Sequence, residues 1–138
     1  MKTTTAFLIL LLFVAGGCVT RTETVKTPYP PEERPTVQDK RVVIDPALKG
    51  VIRLVGVTAK PSDSGFLKIQ VNVQSLSDSS RVISYRISWF DKNGNELPLA
   101  DSPLTTWMFL PHETSFLAVS SPTPAARDFR VELVGPGS

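Results

Sequence analysis

The chain has 138 residues, with 15 basic and 13 acidic side chains, one histidine and one cysteine, and 41% of it is hydrophobic. Mixed charge close to neutrality leaves no basic footprint for nucleic acid. A single cysteine rules out both an intrachain disulfide and a cysteine-based zinc site. Any folded part must therefore rest on its core alone, which domains of about 55–65 residues already manage.

The N-terminus has the layout of an export signal. Lys2 supplies a positive start, and Phe7, Leu8, Ile9, Leu10, Leu11, Leu12, Phe13 and Val14 form an apolar run. Ala15, Gly16 and Gly17 then give the small side chains that a signal peptidase needs. The run is too short for a helix across a hydrocarbon core, which takes about 20 residues. Cys18 closes the segment, and the run Val14-Ala15-Gly16-Gly17-Cys18 resembles the lipobox of bacterial lipoproteins. That resemblance implies cleavage between Gly17 and Cys18 and a covalent lipid on Cys18 that attaches the chain to a membrane. Ala15 stands where the lipobox prefers Leu. The competing reading is an ordinary cleaved signal peptide in which Cys18 is incidental. Val19, not Asp, follows the cysteine. In an enteric-type Gram-negative host this implies the outer membrane, with the protein facing the periplasm; in a Gram-positive host it implies the outer face of the single membrane.

Residues 18–40 read as a lipidated cysteine and a tether. Pro28, Pro30, Pro31 and Pro35 stand among Thr, Glu, Arg and Lys with no hydrophobic period. A segment of roughly 20 residues reaches about 70 Å when fully stretched. As a flexible coil it spans nearer 25 Å on average, and the prolines raise that figure.

From residue 41 to residue 138 the pattern changes to period two. Val42, Val43 and Ile44 suggest a short edge strand. Residues 51–59 are apolar and β-branched, and Gly56 within them marks a bulge or a close backbone approach. In residues 66–73, Leu67, Ile69, Val71 and Val73 alternate with Lys68, Gln70 and Asn72, the pattern of a half-buried strand. In residues 81–91, Ile83, Tyr85, Ile87 and Trp89 share one face. Residues 105–110, 115–120 and 129–134 complete the set. Between them lie turn residues: Pro61 to Gly65, Ser75 to Ser80, Asp91-Lys92-Asn93-Gly94, Pro111-His112-Glu113 and Pro122-Thr123-Pro124. The expected fold is all-β, an immunoglobulin-like sandwich of about seven strands, with Trp89 as the large central residue.

Ile83-Ser84-Tyr85-Arg86-Ile87-Ser88-Trp89-Phe90-Asp91, then Gly94, Trp107, Ser121-Pro122-Thr123-Pro124-Ala125 and Asp128-Phe129-Arg130 resemble the YcfL family of small bacterial lipoproteins. The likeness covers residues 51–133. It implies an immunoglobulin-like sandwich in the periplasm, without an established enzymatic activity. Members are often encoded near a lipoprotein activator of peptidoglycan synthesis, which implies envelope or peptidoglycan-synthesis proteins as partners.

No catalytic or metal constellation stands out. Asp91-Lys92-Asn93-Gly94-Asn95-Glu96 has the polarity of a calcium loop, but its spacing departs from the EF-hand and its Asn-Gly tip suits a hairpin. His112 follows Pro111 on a loop, with Ser102, Ser115 and Ser120 elsewhere and no Gly-x-Ser-x-Gly elbow to place a nucleophile. Asp91, Glu96, Asp101, Glu113 and Asp128 all sit at turns, and nothing selects a glycosidase-like pair. No cofactor is expected beyond the lipid.

Trp107-Met108-Phe109-Leu110 is apolar on both faces. It is either covered by Pro103, Leu104 or the Pro122–Pro124 turn, or it presents a binding surface. Trp107, Met108 and Phe109 are the candidate surface, since aromatic and Met side chains favour interaction hot spots. Arg81, Arg86 and Arg130 rim that face or solvate it. The expected function is non-catalytic binding of an envelope protein. The alternative is a glycan or peptidoglycan-binding module with an exposed aromatic as stacking platform.

Overall fold

The computed structural model describes residues 36–98 and 103–136. The leader, Gly17, Cys18, most of the tether, Asp101 and Ser102 lie outside the described residues.

Seven strands form two sheets. In chain order they are β1 (Val42–Ile44), β2 (Ile52–Pro61), β3 (Leu67–Ser75), β4 (Arg81–Phe90), β5 (Thr105–Phe109), β6 (Thr114–Ser120) and β7 (Asp128–Val134). One sheet has the order β1-β7-β4-β5 and the other β2-β3-β6. Every pairing is antiparallel except β1 with β7. The division into four and three strands is that of the seven-stranded immunoglobulin-like sandwich, although the strand order differs from that of antibody constant domains. All seven strands expected from period two are present, each within about two residues of its expected bounds.

The alternating residues build the core. Leu67, Ile69, Val71 and Val73 of β3 meet Ile83 and Trp89 of β4 and Phe129, Val131 and Leu133 of β7. Trp89 is buried, its ring centroid 6.5 Å from that of Phe129. On β2 the inward set changes parity. Leu54 pairs with Val73 but Gly56 pairs with Asn72, so Val55 is an extra residue. Ile52 and Leu54 face the core before this bulge, and Val57 and Ala59 pack against it afterwards. The bulge reading of Gly56 holds, and what approaches it closely is a side chain, since a Cβ there would lie 3.3 Å from Asn72 Nδ2.

One core element has no strand period. Asp45 caps a short 3-10 turn, Pro46–Leu48, by accepting a bond from the Ala47 N–H at 2.8 Å, and the turn drives Leu48 into the core. Just upstream, Asp39 Oδ1 accepts from both the backbone N–H and the Nε–H of Arg41 at 2.9 Å, and Oδ2 accepts from an Arg41 terminal nitrogen at 2.7 Å. The Arg41 side-chain hydrogen bonds hold the Asp39 carboxyl below its usual range, and the same pairing raises Arg41. The guanidinium also lies 4.8 Å from the Phe129 ring centroid, a cation–π contact that ties the tether's end to β7.

Candidate functional site

Strand pleating splits the apolar run of β5. Phe109 points inward and is fully buried (0% exposed). Trp107 also points inward, half-buried, its centroid 4.5 Å from Phe109 and 6.2 Å from Tyr85. Its indole Nε1–H donates to Ser115 Oγ at 3.4 Å. Met108 points outward and is 63% exposed. The surface expected from Trp107, Met108 and Phe109 together is therefore corrected: alternation places Phe109 in the core, turns Trp107 toward the interior, and leaves Met108 outside.

Met108 has an apolar neighbour that the sequence reading left out. Val82 of β4 is its Cα partner and is 51% exposed. Leu104 and Leu110 are exposed at the two ends of β5, so among the described residues no loop covers the pair. Arg86 lies opposite Glu132 in the register of β4 and β7, and the Arg130 guanidinium sits 5.7 Å from the Phe90 centroid. Arg81 instead donates to Ser77 Oγ at 2.9 Å. The outer face of the four-stranded sheet thus grades from a polar, charged middle to an apolar edge.

The other sheet also carries an exposed apolar residue. Phe116 of β6 is 64% exposed, opposite Asn72. Period two in residues 115–120 carries the signal for it, since Leu117 and Val119 inside put Phe116 outside. Concave space occurs elsewhere, beside the open sides of β1 and β2. There a groove of about 630 Å³ is lined by Val37, Val42, Ile44, Ile52 and Leu54, among others.

Asp91, Glu113, Asp128 and His112 do structural work at turns. Asp91 Oδ1 accepts from the N–H groups of Asn93 and Asn95 at 2.7 and 3.0 Å, and Gly94 takes φ +80°. Those bonds, led by the one from Asn95, lower the Asp91 pKa, and they make the segment a hairpin tip. Glu113 Oε2 accepts from the Leu110 N–H at 2.7 Å, and Asp128 Oδ1 from the Phe129 N–H at 2.9 Å. His112, at φ +56°, has Nε2 2.7 Å from Asp78 Oδ1. This joins two loops at an exposed position, and no serine hydroxyl among the described residues is bonded to His112. No group of three or more His, Cys, Asp or Glu among the described residues is placed to hold a metal ion.

Residues 40–134 match a family model described as "Protein of unknown function (DUF1425)". The chain belongs to the DUF1425 family. Its solved structural neighbours agree with the DUF1425 fold. A crystal structure of Campylobacter jejuni cj0090 is similar at TM-score 0.61 and 20% identity, covering 69% of this chain and 97% of that one. A DUF1425 family member from Shewanella sp. pv-4 is similar at TM-score 0.57 and 18% identity, covering 63% of this chain and 80% of that one. At these identities the likeness is one of fold. Comparison with curated proteins found no match.

Proposed function

We propose that this DUF1425 protein is an envelope lipoprotein of the YcfL kind, held to the membrane by lipid on Cys18, whose sandwich is a non-catalytic module that binds another envelope protein. In a Gram-negative host it sits on the outer membrane and faces the periplasm. The anchor rests on the apolar leader, the small residues before Cys18 and the proline-rich segment that follows.

The observation that carries the binding reading is the facing pair Val82 and Met108, both more than half exposed at the edge of a charged sheet face. Exposed apolar neighbours beside a polar surround suit a protein contact. Trp107 turns its ring toward Tyr85 and Phe109 instead of offering it to a sugar.

A photo-crosslinking residue at Met108 of the full chain, activated in living cells, tests this. The expected result is a discrete protein adduct that weakens on Val82→Glu and is absent when the probe replaces Thr58, on the opposite sheet. Recovery of glycan strands alone overturns the protein-binding reading in favour of peptidoglycan.

A further inference from the structure

Each sheet has two edge strands, and three of the four are blunted. β1 has three residues and β5 has five. β2 is longer, but it carries the bulge at Val55, ends in Pro61, and has one edge carbonyl occupied: the Val37 N–H donates to the Leu54 C=O at 3.0 Å. Bulges, prolines, short strands and charges are the devices that keep sheet edges from pairing. β6, Thr-Ser-Phe-Leu-Ala-Val-Ser, has seven residues and none of these devices.

The ladder identifies which of its backbone groups are open. The Ser121 N–H donates to the Leu67 C=O at 2.7 Å and the Ser75 N–H to the Glu113 C=O at 2.8 Å, each one step beyond an end of the β3–β6 register. Bonded and unbonded pairs alternate in an antiparallel ladder. Residues 115, 117 and 119 therefore direct their backbone groups to β3. Thr114, Phe116, Ala118 and Ser120 direct theirs to the open edge, with side chains exposed on the outer face.

We propose that β6 pairs with β6 of a second copy of this chain, antiparallel and centred on Leu117, joining two three-stranded sheets into one of six. The strand is complementary to itself in this register. Full overlap sets Thr114 opposite Ser120 and Phe116 opposite Ala118, and all four pairs join residues whose backbone groups face the open edge. A large side chain meets a small one, a hydroxyl meets a hydroxyl, and no like charges are opposed, because β6 carries no charge. The arrangement is isologous, as a two-fold dimer requires. It uses the edge of one sheet, whereas Val82 and Met108 lie on the outer face of the other, so either contact can exist without the other.

The test is disulfide trapping in cells that produce the full chain with Thr114→Cys and Ser120→Cys together. Within one chain the two positions are about 20 Å apart along the strand, too far to bridge. Across the two-fold axis they are directly opposite at about 5.5 Å, within disulfide reach. Oxidation is expected to give a covalent dimer of twice the mass of the reduced protein from the same cells, with the linkage mapping to peptides that carry positions 114 and 120. Neither single variant should give it. Adding Ala118→Pro removes an N–H only from the open edge, and adding Phe116→Lys keeps every ladder bond; each should cut the dimer yield at least tenfold. No dimer, linkage from either single variant, persistence in both blocking variants, or a mixed disulfide to a different protein as the sole product overturns the proposal.

Discussion

Trp107 and Ser115 are joined by a hydrogen bond from the indole Nε1–H to the hydroxyl oxygen at 3.4 Å, and this bond links the edge strand of one sheet to the edge strand of the other. It agrees with the orientation that strand pleating gives the β5 side chains. With Trp107 held toward β6, its neighbours Met108 and Phe109 fall on opposite sides of the sheet.

That division predicts unequal effects of substitution at adjacent positions. Phe109→Ala removes a fully buried ring and is expected to cost about 3–5 kcal/mol. Met108→Ser acts on an exposed side chain and should stay within about 0.5 kcal/mol of the parent. Urea unfolding of the two variants checks this, and equal losses would contradict the assignment of faces.

The ion pair of Asp39 and Arg41 predicts a pH-dependent contribution. The Asp39 carboxyl is depressed in the folded state, so its contribution is complete above the unfolded value of about 3.9 and is lost as pH falls through the lower folded value. Asp39→Asn should cost about 1 kcal/mol at neutral pH. The gap between the variant and the parent should close below about pH 4. Thermal unfolding from pH 7 down to pH 2 measures it, and a gap that widens in acid would refute the sign.

Gly94 should resist substitution for a backbone reason alone. A Cβ there meets nothing within 4 Å, yet φ is +80°. Gly94→Ala is expected to cost about 1 kcal/mol with no change in the core. Gly94→Asn should recover part of that loss, because Asn tolerates the left-handed region. Equal stability of Gly94→Ala and the parent, by denaturant midpoint, would show that the turn is not held to this conformation.

The anchor has a chemical test. Cys18→Ser should abolish incorporation of labelled fatty acid, and it should either release the domain from the membrane or stall the precursor. Label retained by the variant would show that the lipid, if present, is elsewhere.

The sequence by itself determined where the strands lie, which side chains of β3 and β4 share a face, that Trp89 is central, and that Asp91 to Gly94 turns the chain. These follow from period two and from turn chemistry, both of which act within a few residues. The apolar run of β5 concealed which of its sides is covered, so Trp107, Met108 and Phe109 read as one surface until the fold placed Phe109 in the core. Tertiary structure alone decided the rest. The extra residue at Val55 reverses which β2 side chains point inward, and Leu48 enters the core from a 3-10 turn with no period to betray it. Whether an edge is occupied depends on what the chain brings beside it: Val37 reaches β2, whereas no described strand lies along the outer edge of β6. Pairing between distant segments sets these features, and Gly56 is the one local trace of them.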